Sequence, residues 1–336
     1  MNLQKLRYKL HSGKNNKMLY YLRGYVKTHL PQRYMQWRRR RLLAEAPRRA
    51  DYADIVRRVA YYNRLAPGWC GTTPERWAEK SVETGRQPMT RQKVYYLDAM
   101  EYARCFDSHN RWHLLGGDIT YVDDVPSIVK SRPIEGDNAR SVLMKLDKVR
   151  HFTFVNDRLT FREKADRAIF RGKVDSKPIR LRLMDMYWGN PRFDLGAIDN
   201  VRPEWTCDKI SIYDHLRHKY ILALEGNDVA SNLKWVMSSN SLAVMPRPTY
   251  ETWFMEGTLV PGYHYVEVRA DLADLEEKMD HYTAHPDEAE AIIRHAHEYV
   301  AQFMDPKRED IISLMVLDKY FGAVGGIGND NKDTSL

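Results

Sequence analysis

From about residue 165 onward, short apolar runs alternate with longer stretches of helical periodicity. "KADRAIFRGKV" reads as a strand ending in a turn, "PIRLRLMDMYWG" as a helix and "FDLGAID" as a second strand. "SIYDHLRHKYILALEG" predicts a helix feeding a strand, "VASNLKWVMSSN" a helix and "SLAVMP" a strand. "YETWFME" reads as a short helix, "YHYVEVR" as a strand, and residues 271–304 as two further helices. Strands alternating with helices in this way predict βαβ units and a parallel sheet, an α/β fold. The first half is looser. Residues 1–65 read as helical, broken at Pro31 and Pro47, with "DYADIVRRVAYYNRL" the clearest amphipathic run. "PGWCGTTPERWAEKS" reads as a loop followed by short helices; "PSIVKSRPI" and "HFTFVN" read as strands. The change of pattern places a domain boundary near residues 150–165.

Charge sharpens this division. Residues 1–50 hold 14 Lys or Arg against the single acid Glu45, so this segment carries +13 and the remaining 286 residues sum to −5. A basic stretch such as "RYMQWRRRRLLAEAPRRA", set with Leu, Tyr and Trp, suits an anionic membrane surface, a nucleic acid, or simply a solvated helix. No window offers 18 consecutive apolar residues, which excludes a sequence-evident membrane-spanning helix. The basic N-terminus lacks the apolar core and cleavage site of a secretory leader, and three scattered cysteines form no CxxC pair. Both features predict a reducing cytoplasmic setting with free thiols.

Candidate chemistry gathers where strands end. In "LALEGNDVASNLKW" an apolar run gives way to Glu225, Gly226, Asn227 and Asp228, with Ser231 and Lys234 following. Leaving such groups buried without partners costs about 1–3 kcal/mol each, so the helix is expected to open onto something polar. Gly226 would allow a tight turn, Asp228 would cap the next helix, and free N–H groups there would suit a phosphate; a capped core helix with Lys234 in solvent is the plainer alternative. "IFRGKV" ends in Arg171 and Gly172, a guanidinium fork beside a cleared space, and "PSIVKSRP" offers Lys130 and Arg132 in the same way. In "GGDITYVDDVP", Asp118 follows an apolar run and two glycines, as a general base or as a turn residue. Asp123 and Asp124, beside Pro126, read as turn residues that compete with it. The histidines have no HExxH spacing and no GxSxG elbow is present, so neither a zinc site nor a covalent nucleophile is expected.

Taken together, "AIFRGKV" and "KYILALEGNDVASNLKWVMSSNSLAVMPRPTYETWFMEGTLVPGYHYVEVRADLADL" resemble the bacterial branch of glycosyltransferase family 90, the lipopolysaccharide-modifying and protein O-glucosyltransferase family. The resemblance is strong over residues 165–275 and weaker over 90–165. It implies two Rossmann-like domains facing a cleft, the GT-B arrangement: residues 1–155 on the acceptor side, 156–305 holding a nucleotide-sugar, and 306–336 a helix and tail returning to the first domain. It implies inverting transfer of a hexose from a UDP-sugar to a lipopolysaccharide core or similar glycan, with no tightly bound cofactor or metal. Asp118 lies near the family's base, Arg171 and Gly172 match its diphosphate-contacting Arg-Gly pair, Glu225 and Gly226 its acid–Gly pair, and Lys234 its helix lysine. Lys130 and Arg132 are further donor-site candidates. Asn232 stands where eukaryotic members carry an arginine that contacts the diphosphate. The expected setting is the cytoplasmic face of the inner membrane, with an anionic surface and a lipid-linked acceptor as partners and no nucleic acid. The competing class is a non-catalytic Rossmann-like binding protein whose basic arm holds nucleic acid or another anionic partner.

Overall fold

The computed structural model describes residues 12–327. Residues 1–11 of the basic segment and 328–336 of the expected tail lie outside the described residues. The chain divides into two compact units. One comprises residues up to Asn15, Val149–Thr249 and Met255–Gln302; the other comprises Asn16–Lys148, Tyr250–Phe254 and the chain from Phe303 onward.

The first unit is built on a five-stranded parallel sheet. Its spatial order is Val266–Glu267, Leu242–Met245, His218–Leu222, Ala165–Gly172, Phe193–Ala197. The middle strands carry the runs "AIF", "YIL" and "LAVM", buried throughout, as expected of a parallel sheet covered on both faces. Phe170, Leu183, Tyr187, Leu222, Val244 and Ile292 belong to its continuous core. The chain runs from the Ala165–Gly172 strand outward to Phe193–Ala197, then back across to His218–Leu222 on the other side. The order therefore reverses between the first and third strands of this unit, and the crevice at their carboxyl ends is where open α/β sheets receive ligands.

His215 closes the four-residue helix Ile212–His215, with its Nδ1 2.8 Å from the Ser211 carbonyl and its ring edge-on to Trp235. Burial pushes its imidazole down to about 4. The folded value lies below the unfolded one, so the neutral ring stabilises the fold above about pH 6.5. That contribution is lost as pH falls through about 4. Denaturant titrations of wild type and His215→Gln at pH 7 and 4.5 should differ in their pH dependence by about 2–3 kcal/mol. An identical stability gap at both pH values would show that His215 does not titrate in this range.

The second unit is mainly helical: Lys17–His29, Gln32–Glu45, Tyr52–Tyr62, Lys93–Ala103 and Pro306–Val324. Among the described residues its strands form three two-stranded ladders instead of one open sheet. Ser127–Val129 pairs in parallel with Ser141–Leu143, and Leu114 bridges to Ile128, also in parallel. The Tyr320 hydroxyl, on the long C-terminal helix, donates to the Pro126 carbonyl and accepts from the His113 amide, tying these segments together.

Two expectations fail here. "HFTFVN" is not a strand: Lys148–His151 is a helical turn and irregular chain follows, anchored by the Val155 amide on the Ser238 hydroxyl. "YETWFME" is not a helix: Tyr250–Thr252 is a strand antiparallel to Ser131–Pro133. Its register sets Glu251 opposite Arg132, and that buried ion pair, at 2.8 Å, overrides local helical preference.

Candidate active site

At the crevice of the parallel sheet the residues singled out by sequence take unexpected roles. Arg171 turns its fork onto the neighbouring strand, donating to the Asp194 carboxylate and carbonyl and to the Phe170 carbonyl. His218 and Arg171 together hold the Asp194 carboxyl well below the usual range. Gly196 lies opposite Arg171 because a Cβ there would meet Arg171 Nε at 3.0 Å and collide with Cys207. Arg171 is thus a strand-bracing residue here.

The guanidinium that does occupy the crevice belongs to Arg180, which the sequence reading passed over. Arg180 sits in the first turn of the Pro178–Tyr187 helix. Its Nη1 donates to the Lys173 carbonyl at 2.9 Å and its Nη2 to the Leu224 carbonyl at 2.7 Å. It therefore spans the loops after the first and third strands of the sheet. Nε is buried without a hydrogen-bond partner. Among the described residues no carboxylate lies within ion-pair distance of it. Burial pulls the group down to about 10, opposed only by the field of Asp199. Asp199 itself accepts from the Val174 and Asp175 amides at 2.9 and 3.0 Å and shapes the same loop.

The two sequence-flagged glycines acquire their reason from this arginine. A Cβ on Gly226 would stand 2.9 Å from Arg180 Nη2, and one on Gly172 would stand 3.5 Å from Nη1 and 2.8 Å from the Phe170 ring. Gly226 is not in the left-handed region, so the expected turn-making role is replaced by clearance for Arg180. One signal in the sequence did mark Arg180. A cation in a helix's first turn opposes the macrodipole, and this helix has no acid there to offset it.

The remaining donor-side candidates divide. Glu225 accepts from the Thr249 amide and hydroxyl at 2.9 and 2.6 Å, linking the loops after two adjacent strands. Asn227 and Ser231 are exposed beside it. Asp228 is not the expected cap: its carbonyl accepts from the Gly226 amide, and Asn232 takes the N-cap position without a side-chain cap bond. The Asn232 amide instead donates to the Leu222 carbonyl at 3.0 Å. The Leu233–Met237 helix has only five residues, too short for the dipole expected to hold a phosphate. Lys234 is fully buried, with its ammonium 2.5 Å from Glu256, so it is neither in solvent nor turned to the crevice.

In the second unit, Asp118 follows Gly117, whose φ of +134° requires glycine. It lies just beyond the Leu114–Ile128 bridge, and Lys130 just beyond the adjacent Ser127–Val129 strand. Both side chains therefore sit at the carboxyl end of neighbouring parallel segments. Lys130 Nζ is 2.5 Å from Asp118 Oδ1, and the Tyr95 hydroxyl donates to the same oxygen at 3.3 Å. Asp118 keeps 21% of its side chain exposed, whereas Lys130 is buried. Arg132 is wholly buried: it gives Nε to Glu251 and its other nitrogens to the Tyr61, Tyr62 and Ser141 carbonyls. These four hydrogen bonds hold it inside the core of its own unit. Asp123 and Asp124 bind Lys80, and Asp124 also binds Arg76 at 2.6 Å, so they fasten the Pro74–Lys80 helix. Of the three aspartates, Asp118 is the one paired with a lysine, Lys130, that follows a parallel strand. Elsewhere, the exposed residues His281, His285 and Glu288 come together at a helix junction with metal-ligand spacing, a grouping that no sequence motif flagged.

The five-stranded parallel sheet, with a half-buried cation and no acid partner at its crevice, defines an α/β protein whose crevice suits an anionic ligand. The comparisons name the family. The glycosyl transferase family 90 model matches residues 140–320. O-glucosyltransferase LpsA of Dichelobacter nodosus is 41% identical over 271 residues, which is 80% of this chain and 83% of that protein. Protein O-glucosyltransferase 3 of Homo sapiens is 28% identical over 165 residues, covering 47% of this chain and 32% of the human protein. Protein O-glucosyltransferase 2 of Danio rerio is 26% identical over 138 residues, 39% of this chain and 27% of its own length. The chain belongs to glycosyl transferase family 90 and is an enzyme of the hexosyltransferase class. That excludes the reading as a non-catalytic binding module. No helix among the described residues is long and apolar enough to cross a membrane.

Proposed function

We propose that this enzyme moves a hexose, with inversion, from a UDP-sugar to a hydroxyl of a lipopolysaccharide core or similar surface glycan. The observation that carries the reading is Arg180, a half-buried guanidinium with no carboxylate partner at the point where the parallel sheet reverses order. A diphosphate there supplies the missing anion, and Arg180 stabilises the charge that grows on the leaving group. Gly172 and Gly226 keep the space, Glu225 fixes the loop geometry, and Asn227 and Ser231 are the polar groups at its open edge. Asn232 stands at the family arginine's place, so Arg180 carries the leaving-group charge in this chain.

In this reading the parallel-sheet unit holds the donor and the other unit supplies the base. The Asp118 carboxylate takes the proton from the acceptor hydroxyl as its oxygen bonds to the anomeric carbon. The bond from that carbon to the diphosphate breaks, and UDP departs with the electron pair. Lys130 and Tyr95 orient Asp118. The sugar in the names of the related proteins makes glucose the first donor to test, and the basic N-terminal segment supports a setting at an anionic inner-membrane surface.

Titration calorimetry with UDP tests the donor site. Arg180→Ala should bind UDP about ten- to a hundredfold more weakly, the scale of a charge-assisted hydrogen bond lost from a partly buried site. Uridine, which lacks the phosphates, should bind wild type and variant alike. A folded Arg180→Ala protein with wild-type UDP affinity would remove the argument for this crevice.

A further inference from the structure

Within the run of four arginines, Arg38 and Arg39 are turned inward. Arg38 is 2.5 Å from Asp310, and Arg39 is 3.7 Å from Asp318 with its guanidinium over the Phe106 ring. Both serve the fold of their own unit. What faces outward instead is a row of aliphatic side chains on the preceding helix, Lys17–His29. That helix packs through Tyr20, whose hydroxyl reaches the Val94 carbonyl, through buried Thr28, and through Gly24, where a Cβ would stand 3.1 Å from Leu97. On its opposite side, Met18, Leu22 and Val26 follow one another at i, i+4 and i+8 and are 80%, 61% and 55% exposed. Leu19, 41% exposed, widens the stripe. The next helix, Gln32–Glu45, exposes Tyr34 and Trp37 side by side, with Arg41 over the indole at 5.0 Å.

We infer that the Lys17–His29 helix docks this enzyme on an anionic lipid bilayer, with Met18, Leu22 and Val26 entering the acyl boundary. The inference rests on the membrane setting proposed above and names the element that makes the contact. Residues 12–44 contain nine Lys or Arg and no acid, and Lys17, Arg23, Arg33, Arg40 and Arg41 are exposed. An aliphatic row framed by cations and free of carboxylates matches lipid phosphates above hydrocarbon. A second copy of the chain is a poor occupant, because its face would bring cations against cations with no acid to receive them. Nucleic acid has no use for three aliphatic side chains in a row. Tyr34 and Trp37 suit the headgroup level, where an aromatic ring meets apolar and wet surroundings together.

Co-sedimentation with phosphatidylglycerol-containing vesicles, against phosphatidylcholine vesicles, tests this on the full chain. Wild type should partition onto the anionic vesicles, with a blue shift in tryptophan emission. The triple variant Met18→Ser, Leu22→Ser, Val26→Ser should partition at least about tenfold less, since burying several aliphatic side chains supplies much of an interfacial helix's binding. Its thermal midpoint and its turnover of a soluble donor should stay at wild-type values, because the three positions are exposed. If wild type binds anionic vesicles and the triple variant binds equally, the stripe is not the docking element, while the membrane setting stands. If wild type ignores both vesicle types, both ideas fall. If the substitutions convert a dimer to a monomer in sedimentation velocity, the occupant is a second copy and the lipid assignment is overturned.

Discussion

Asp118→Asn should lower turnover by about 10²-fold or more while leaving UDP affinity unchanged, the scale expected for removal of a proton-transfer group. The substitution keeps the shape of the side chain and removes the negative charge 2.5 Å from the buried Lys130 ammonium. A pH–rate profile separates that electrostatic disturbance from loss of the base. Lys130→Met should also disturb Asp118, but it leaves a carboxylate in place and should retain more activity than Asp118→Asn. Asp123→Asn and Asp124→Asn serve as comparators. They weaken the hold on Lys80 and Arg76 and should cost stability, with turnover of the folded fraction within tenfold of wild type. Full activity in Asp118→Asn alongside a dead Asp123→Asn would move the base five residues along the chain.

Glu309→Ala should cost about 3–5 kcal/mol of stability, read as the shift of a denaturation curve, because it removes the buried carboxylate shared by Arg58 and the partly buried Lys145. Arg58 Nη1 is 2.7 Å and Lys145 Nζ 2.8 Å from the Glu309 carboxylate, and the Trp253 indole N–H donates to it at 2.7 Å. Burial pushes this carboxyl up, but Lys145 and Arg58 outweigh it and hold the group below its ordinary value. Trp253 in turn stacks on Tyr62 at 3.9 Å, and the Tyr62 hydroxyl bonds the Trp253 carbonyl. Glu309→Gln preserves the shape and one acceptor, so it should fall between wild type and alanine. A stability change below about 1 kcal/mol for Glu309→Ala would mean that water or rearranged side chains satisfy Arg58 and Lys145, as surface pairs are satisfied.

The parallel sheet was legible because its strands are apolar on both faces and its punctuation is strong. "AIFRG", "YIL" and "LAVM" admit few other readings. The site was less legible, for a specific reason. Sequence shows which residues are charged but not which charges neutralise one another. Arg171, Arg132 and Lys234 looked like ligand-binding cations, and each meets a carboxylate far away in sequence: Asp194, Glu251 and Glu256. Arg180 looked ordinary within "PIRLRL", and its importance comes from the lack of any such partner. "YETWFME" misled in a related way, since its helical periodicity yields to the Arg132–Glu251 pairing, which no local window contains. The glycine before Asp118 was a legible cue, because its φ of +134° is a local backbone matter.

The exchange of segments between the two units imposes an order on biosynthesis. Arg58 and Lys145 emerge from the ribosome long before Glu309, the carboxylate that accompanies them in the folded unit. The Val149–Thr249 and Met255–Gln302 segments of the parallel-sheet unit are translated between Lys145 and Glu309. At about 5–20 residues per second, the N-terminal helices wait on the order of ten seconds or more for the C-terminal helix that completes their core. During that interval the nascent chain lacks the Glu309 carboxylate that Arg58 and Lys145 contact in the folded unit. Ribosome-stalled chains ending near residue 300 should therefore be protease-sensitive before residue 149 and resistant after it.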